Sequence, residues 1–274
     1  MFEVSKIRNV DINNTAFENL VLSQDKKDII SALVKEQKQQ KGSDFDDLIK
    51  GKGKGLIVLL HGSPSVGKTF TAESIADHIC RPLLSINSDQ LIINRVSTEA
   101  NLLSLLALAN RWNALVLLDE ADVFMQQRGL QDLARNSLVS ILLRILEYFE
   151  GTMFLKTNRV ETIDDAFKSR IHLSMSYPRL DTSARMKLWT LGLTRGSRGQ
   201  MPTWASEDAL RDLAGADINR RNIKNIIPMG CGLAGDAGHH LEKSDILNGF
   251  NALEAFEADF KRLAVRGSDT HERD

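Results

Sequence analysis

Short apolar runs alternate with helical patterns through the first two thirds of the chain. Five runs are candidate strands: Leu56–Leu60, Leu83–Ile86, Leu115–Leu118, Met153–Leu155 and Ile171–Met175. The stretches between them carry helical patterns, such as Glu99–Asn110 and Ser137–Phe149. Runs this short, separated by helices, are typical of a parallel sheet covered by helices on both faces. The pattern therefore predicts an α/β fold.

The strand signal ends at Tyr177-Pro178. Beyond it the candidate helices are Thr182–Thr194, Glu207–Leu213, Asn219–Ile227 and Lys243–Leu263. Before the first strand come a loop at 11–14, a surface helix at Gln24–Gln39 and a glycine–lysine run, Lys50–Gly55, that predicts a mobile loop. The predicted domains are a leader with a helix (1–50), an α/β core (51–180), an α-helical part (181–266) and a polar tail (267–274).

Composition excludes several classes of protein. The 274 residues are 42% hydrophobic and 26% charged, as in soluble globular proteins, and a net charge of −1 gives no general attraction to nucleic acid or anionic membranes. Cys80 and Cys231 lack the spacing of a zinc site and suit a reduced compartment. The first residues, Met1–Lys6, carry no apolar core of a secretory signal, and no apolar run reaches transmembrane length, so we expect neither a signal peptide nor a membrane span. We therefore expect a soluble intracellular protein, in the cytoplasm or nucleus.

A phosphate-binding motif directly follows the first apolar run. His61–Thr69 fits G-x-x-x-x-G-K-[ST] between a candidate strand and a helix-compatible run, Thr69–Ile79. In such a loop backbone N–H groups converge on phosphate, Lys68 reaches the β- and γ-phosphates, and Thr69 holds Mg²⁺. An incidental glycine turn before a helix is the alternative. The candidate nucleotide-binding residues are Gly62, Ser63, Pro64, Ser65, Val66, Gly67, Lys68, Thr69 and Phe70.

Polar residues also follow two other candidate strands. Asp119 and Glu120 come after Leu115–Leu118, and Asn158 comes after Thr152–Thr157. The carboxyl ends of parallel strands share one edge, so these side chains should lie near Lys68. Asp119 would help to hold Mg²⁺, Glu120 would orient the attacking water, and Asn158 would reach the γ-phosphate. Helix capping by the acids and an ordinary turn at Asn158 are the alternatives.

These residues resemble the motifs of AAA+ ATPases of the AAA branch, over about Phe17 to Leu263. Gly62–Thr69 matches Walker A, Leu115–Glu120 matches Walker B, and Thr157–Arg159 matches the sensor 1 region. The chain is also similar to a group of uncharacterised fungal AAA ATPases. Further matches are Ala166–Arg170 near the arginine finger and Gly215–Ile218 in the lid. The stretches that resemble the fungal group are Gly55–Gly62, Trp112–Ala114, Leu146–Gly151 and Ser169–Leu173.

The resemblance implies a P-loop fold with strand order 5-1-4-3-2, a small helical lid, and ATP with Mg²⁺ between neighbouring subunits of a homo-oligomeric ring, usually a hexamer. Arg170 matches the residue that reaches into the neighbour's site, with Arg159 and Arg135 as substitutes and an exposed surface residue as the alternative. Arg221 is the sensor 2 candidate. The pair Arg220-Arg221 lies in the first turn of a helix, where positive charge is unfavourable unless an anion is nearby, although both could be simply solvated.

The chain departs from the family pattern in three places. Ser63 and Ser65 stand where Pro and Gly are usual, which suggests reduced nucleotide affinity. Pro228, Gly230, Cys231 and Gly232 should end the sensor 2 helix early and give a shortened or divergent lid. The pore loop of protein-threading relatives carries an aromatic residue, whereas 88–94 has none. Leu91–Ile93 either grips a chain through apolar contact or packs on the core.

The primary hypothesis is an ATP-hydrolysing module that acts on an unknown protein or complex. A nucleotide-binding interaction module with negligible turnover and a DNA-acting ring ATPase are the alternatives, although the near-neutral charge does not support nucleic acid. The chain lacks the Asn-Lys-x-Asp motif with which GTPases bind guanine, so we do not expect a GTPase. Because little sequence precedes the ATPase motifs, we expect the domain that selects the substrate to lie on another chain, or this chain to be a fragment.

Overall fold

The computed structural model describes residues 14–36, 55–88, 95–128 and 133–268. The chain divides into two compact units, and the boundary falls between Pro178 and Arg179. Four sequence predictions lie outside the described residues: the loops at 11–13 and 50–54, the Leu91–Ile93 segment, and the tail beyond 268.

The first unit contains a five-stranded parallel sheet. The strands are β1 (Leu56–Gly62), β2 (Leu83–Asn87), β3 (Leu115–Asp119), β4 (Thr152–Thr157) and β5 (Leu173–Tyr177). Their order across the sheet is β2-β3-β4-β1-β5, and every pairing is parallel. Read from the other edge this is 5-1-4-3-2, so the predicted P-loop NTPase fold is confirmed. β4 lies between β1 and β3, and its end is therefore flanked by the ends of both.

The fifth strand begins two residues later than the apolar pattern predicts. Ile171 N–H donates to the Phe167 carbonyl at 3.1 Å and closes a turn after the 3-10 helix Asp165–Phe167. The His172 N–H then donates to the Ile57 carbonyl at 2.9 Å, and ladder pairing proper starts with Leu173 opposite Val58. Backbone hydrogen bonding, which an apolar run does not reveal, sets this boundary.

Helices cover the sheet on both faces. In the first unit they are α1 (Asn14–Glu18), α2 (Gln24–Glu36), α3 (Lys68–His78), α4 (Arg95–Trp112), α5 (Asp122–Met125) and α6 (Leu133–Tyr148). Alternate residues of β1 enter two different cores. Ile57 and Leu59 join the cluster that contains residues of α4 and α6, whereas Val58 and Leu60 join the cluster that contains residues of α2 and α3. The two-sided burial of β1, β3 and β4 explains why these strands read as nearly continuous apolar runs.

Every element in the described part of the second unit is a helix: α7 (Thr182–Gly196), α8 (Glu207–Gly215), α9 (Arg220–Ala237) and α10 (Lys243–Ser268). The first three begin at side-chain caps. Asp181, Ser206 and Asn219 each accept a hydrogen bond from the backbone N–H three residues further on. These caps satisfy N–H groups that an uncapped helix would leave without partners.

The prediction that α9 ends early is wrong. The helix runs through Pro228 to Ala237 and ends at Gly238, which adopts a left-handed conformation with φ 73°. Pro228 is exposed, so the carbonyl that loses its N–H partner can bond to water. Tertiary packing on the opposite side outweighs the local penalty, because Ile223, Ile226 and Ile227 are buried there.

Candidate functional site

The loop at 61–69 joins β1 to α3 and depends on two glycines. Gly62 has φ 132° and Gly67 has φ 114°, values that L side chains rarely adopt. A Cβ at Gly62 would lie 2.1 Å from the carbonyl oxygen of Tyr177, the residue opposite it in β5. Any side chain at Gly62 would therefore push the loop away from the sheet.

Ser65 also adopts a left-handed backbone conformation, with φ 61°. This conformation costs a non-glycine residue about 1–2 kcal/mol. The position where the sequence lacks the usual glycine is thus one where the loop geometry favours glycine. The loop nevertheless adopts this turn, so the folded protein carries the conformational penalty of Ser65.

Helix α3 begins without a side-chain cap. Its N-cap residue is Gly67, which has no side chain to accept hydrogen bonds from the first-turn N–H groups. The N–H groups at the start of a helix and the positive end of the helix dipole attract anions such as phosphate. The first turn of this 11-residue helix therefore suits the predicted ligand.

Lys68 is buried and folds back on the loop. Its Nζ donates to the carbonyl oxygens of Gly62 at 2.7 Å and Ser63 at 2.6 Å. Burial, followed by the positive charge of Lys156, lowers the pKa of Lys68 to about 8, and the negative charge of Asp119 opposes this shift. These charges act together because the three side chains belong to one edge of the sheet.

Asp119 is paired with a lysine to which the sequence analysis gave no role. The Nζ of Lys156 lies 2.7 Å from Oδ1 and 2.8 Å from Oδ2 of Asp119. The register explains this contact, because Leu118 pairs with Leu155 and the next residue on each strand is Asp119 or Lys156. The only sequence signal is a lysine that interrupts an apolar strand one position before its end.

Glu120 is exposed directly beyond β3. It has φ 54°, and its backbone N–H donates to Oδ1 of Asp119 at 2.7 Å. Asn158 is exposed directly beyond β4. The preceding Thr157 is buried, and its hydroxyl accepts from the Arg159 N–H at 2.9 Å and donates to Asp122 at 3.3 Å. Two of the predicted catalytic side chains thus face solvent at adjacent strand ends, on backbone fixed by local hydrogen bonds.

A buried tyrosine connects β5 to the loop. Tyr177 donates from its hydroxyl to Thr71 Oγ1 at 2.8 Å, and Thr71 Oγ1 donates to the Gly67 carbonyl at 3.2 Å. Burial raises the pKa of Tyr177 to about 12. The tyrosine therefore stays protonated and keeps donating at physiological pH. The sequence does not reveal these linked hydrogen bonds, because 106 residues separate Tyr177 from Thr71.

The candidate arginines lie in different parts of the chain. Arg170 is half-buried; its guanidinium donates to the Ala166 carbonyl at 2.9 Å and lies 3.6 Å from Glu147. Arg159 is exposed after β4. Arg221 is exposed in the first turn of α9, within the second unit. The side chain of Arg135 lies outside the described residues.

The residues fit Mg²⁺ bound together with a nucleotide rather than by protein alone. Thr69 and Asp119 supply oxygen donors, which Mg²⁺ prefers, and protein Mg²⁺ sites commonly use one or two such groups plus phosphate oxygens. Among the described residues, no group of three or more His, Cys, Asp or Glu side chains could hold a metal. None of the described helices is long and apolar enough to cross a lipid bilayer.

Similar proteins carry proteasomal names. The 26S proteasome regulatory subunit 8 homolog of Encephalitozoon cuniculi is 26% identical over 53% of this chain and 39% of its own length. A putative 26S proteasome regulatory subunit homolog of Methanothermobacter thermautotrophicus is 27% identical over 62% of this chain and 48% of its own. The 26S proteasome regulatory subunit 8 of Caenorhabditis elegans is 30% identical over 52% of this chain and 36% of its own length. The chain thus spans less than half the length of these relatives.

Residues 58–179 match the family model described as "ATPase family associated with various cellular activities (AAA)". The matched segment begins within β1 and ends just beyond β5. It includes the 61–69 loop, and also Asp119 of β3 and Lys156 of β4. The resemblance noted in the sequence is confirmed at the level of the family, and the narrower similarity to a fungal group stays a prediction. Residues 58–179 of this chain thus form a domain that matches the AAA family.

Proposed function

We propose that the chain binds ATP with Mg²⁺ at the 61–69 loop and hydrolyses it, coupling hydrolysis to a conformational change that acts on a macromolecular substrate. The observation that carries the proposal is the uncapped first turn of α3, with Lys68 beside the acidic end of β3. Phosphate is the ligand that both features favour. The match of residues 58–179 to the AAA family model supports the reaction class.

The proposed roles follow from position. Gly62–Phe70 surround the phosphates, Lys68 and Thr69 contact phosphate and metal, and Asp119 supports the metal. Glu120 positions the attacking water, and Asn158 contacts the γ-phosphate. Each of these residues belongs to the loop, the start of α3, or the carboxyl end of β3 or β4.

We further propose that the active form is a homo-oligomeric ring, with a hexamer as the expected size. Arg170 would serve the site of a neighbouring subunit, and Arg221 would contact the nucleotide from a lid formed by the second unit. The relatives' names, which are those of proteasome regulatory subunits, support a protein substrate over nucleic acid.

Two substitutions test the function. Lys68→Ala should abolish ATP binding, measured by calorimetry, because it removes a buried ammonium group from the phosphate site. Glu120→Gln should keep ATP binding but lower steady-state phosphate release by about 10²–10⁴-fold, because an amide is a poor base for water. It should also stabilise ATP-dependent oligomers in light scattering.

Lys35→Met is a suitable control, since Lys35 is exposed on α2. It should match the native chain in both measurements. ATP binding that survives Lys68→Ala, or unchanged turnover in Glu120→Gln, would contradict the assignment.

A second candidate is a nucleotide-binding interaction module with negligible turnover. Ser65 in a left-handed conformation and the Lys156–Asp119 pair favour it, because both depart from the pattern of an active site. Phosphate release per subunit separates the candidates. Release that rises with protein concentration supports the ring ATPase, and ATP binding without release at any concentration supports the module.

A further inference from the structure

The proposed mechanism gives no role to Lys156. It is a lysine within β4, flanked by the buried residues Leu155 and Thr157. Its ammonium group contacts both carboxylate oxygens of Asp119. The side chains of Lys156 and Asp119 are 20% and 25% exposed, so water screens this pair less than it would a surface pair.

The position of this ammonium group matters because Asp119 is the carboxylate that would support Mg²⁺. A cation held at 2.7 and 2.8 Å from its two oxygens occupies the positions through which a metal, or its bound water, would interact. It also neutralises the charge that would attract a metal. Mg²⁺ and Lys156 therefore compete for the same carboxylate.

The same ammonium group lies close to the phosphate-binding lysine. Lys68 interacts electrostatically with both Lys156 and Asp119, which places two lysine charges and one carboxylate around the loop. Two ammonium groups at a triphosphate supply positive charge that a site with a single lysine obtains from Mg²⁺.

We propose that Lys156 is a resident cation that competes with the divalent metal for Asp119 and supplies positive charge in its absence, so that the loop binds ATP almost as tightly without Mg²⁺ as with it. The inference rests on the proposed ATP-binding function of the loop. It concerns the charge balance of that site and makes Lys156 a specificity-determining residue for the nucleotide without its metal.

The test is the affinity for ATP, measured by calorimetry with Mg²⁺ and with EDTA. The quantity of interest is the Kd in EDTA divided by the Kd with Mg²⁺. The native chain should show a ratio below about 10, because Lys156 already supplies the charge. Lys156→Met should raise the ratio to about 100 or more, since one charge-assisted contact to phosphate is worth about 10- to 100-fold. It should also reach half-maximal ATP binding at a lower Mg²⁺ concentration, because Asp119 is freed.

Matched variants separate charge from structure. Lys156→Arg keeps the positive charge and should keep the low ratio, whereas a purely structural role for the lysine would not predict this difference between Arg and Met. Lys35→Met makes the same charge change on α2 and should leave the ratio unchanged. Thermal unfolding of each variant verifies that the protein remains folded.

The possible outcomes differ for the two proposals. If the native ratio is above about 100 and Lys156→Met does not alter it, the proposed role of Lys156 is overturned. The proposed function still stands in that case if the native chain binds ATP with Mg²⁺ and Lys68→Ala does not. No ATP binding by the native chain under either condition would overturn both.

Discussion

At the scale of single residues, the loop combines positions that require glycine with one that would favour it. Gly62 cannot carry a side chain, because a Cβ would meet the Tyr177 carbonyl at 2.1 Å. Ser65 carries one in a left-handed conformation and pays a conformational penalty. Glu120, the proposed water-positioning residue, is also left-handed. Two of the five non-glycine residues with positive φ in the described part of the chain therefore lie at the candidate site, where strain can hold side chains in fixed directions.

Replacing Ser65 by glycine should relieve part of this strain. The left-handed penalty of about 1–2 kcal/mol is removed, and the extra freedom of glycine in the unfolded chain costs about 0.5–1 kcal/mol. We therefore expect the free energy of unfolding to rise by up to about 1 kcal/mol in Ser65→Gly, measured by urea denaturation. The affinity for ATP should rise as well.

Arg198 offers a matched control for Ser65→Gly. It has φ 56° and lies in the second unit, so Arg198→Gly relieves similar strain outside the loop. Stability should change by a similar amount and ATP affinity should not. Equal effects of the two variants on ATP affinity would show that the strain at Ser65 is irrelevant to binding.

Residues identified by a motif could be placed from sequence alone, and residues identified by a contact could not. Lys68, Asp119 and Asn158 were assigned because each follows an apolar run that ends at a common edge. The contact between Lys156 and Asp119 depends on the register of β3 against β4, and the one between Tyr177 and Thr71 depends on residues 106 positions apart. Neither register nor side-chain direction is encoded in local patterns.

At the scale of elements, β5 is joined to β1 by a side chain as well as by its ladder. The backbone N–H of Ile57 donates to Nδ1 of His172 at 3.1 Å. Although His172 is exposed as a residue, burial of part of its ring against β1 lowers its pKa. The ring can accept this hydrogen bond only while it is neutral.

This contact should make stability depend on pH. Above pH 6.5, the ordinary pKa of histidine, both folded and unfolded chains are neutral at His172 and the contribution is intact. Below that value the unfolded chain takes up a proton first, so stability falls until the pH passes the lowered pKa of the folded state. His172→Asn retains an acceptor without titrating. Its free energy of unfolding should therefore decrease less than that of the native chain between pH 7.5 and 5.5.

The other histidines require a control in this experiment. His61 and His78 also have lowered pKa values and contribute to the pH dependence of both proteins. The comparison therefore rests on the difference between native and variant slopes. His240→Asn, at an exposed position, should leave the native slope unchanged. Identical slopes in the native chain and His172→Asn would exclude a titrating contact at this strand.

Helices α9 and α10 allow a second prediction about elements. Gly232 is exposed in α9 and no heavy atom lies within 4 Å of an added Cβ, so Gly232→Ala should stabilise the helix by about 1 kcal/mol through propensity alone. Gly249 in α10 is buried, and an added Cβ would lie 3.1 Å from the Ile226 carbonyl oxygen. The same propensity gain should therefore be offset in Gly249→Ala. Hydrogen exchange of the helix amides measures both, and equal protection in the two variants would refute the packing argument.

The central strands β1, β3 and β4 are predictable because a strand buried on both faces has a continuous apolar signature that can be read from the sequence alone. Helix ends were less predictable. Pro228 and the glycines near it predict a break in α9, but Ile223, Ile226 and Ile227 stabilise the helix through burial. Local propensities of about 1–3 kcal/mol are overridden when several large apolar side chains pack on one face.

At the scale of the whole molecule, the proposed ring requires that two subunits share one site. Arg170 contacts Glu147 and Ala166 of its own chain, so it must exchange these partners to reach a neighbour. If it does, Arg170→Ala should lower phosphate release by about 10³–10⁵-fold with little effect on ATP binding.

Mixing two inactive variants tests whether Arg170 acts between subunits. In a mixed ring, some sites combine an Arg170→Ala subunit with a neighbouring Glu120→Gln subunit. Such a site is complete, because the first subunit supplies an intact Glu120 and the second supplies an intact Arg170. The mixture should therefore recover part of the native phosphate release. A mixture of Glu120→Gln with Lys68→Ala should recover none, because each subunit is defective in its own nucleotide site. Equal inactivity of both mixtures would argue against action between subunits.

The hydrogen bonds from Tyr177 to Thr71 and from Thr71 to the Gly67 carbonyl have a mechanical consequence. Tyr177 is the last residue of β5, and only Pro178 separates it from the start of the second unit. Two hydrogen bonds and one residue therefore separate the phosphate loop from the boundary between the two units. Because this path is short and its Tyr177 and Thr71 side chains are buried, a displacement of the loop by an incoming triphosphate should be felt at the end of β5.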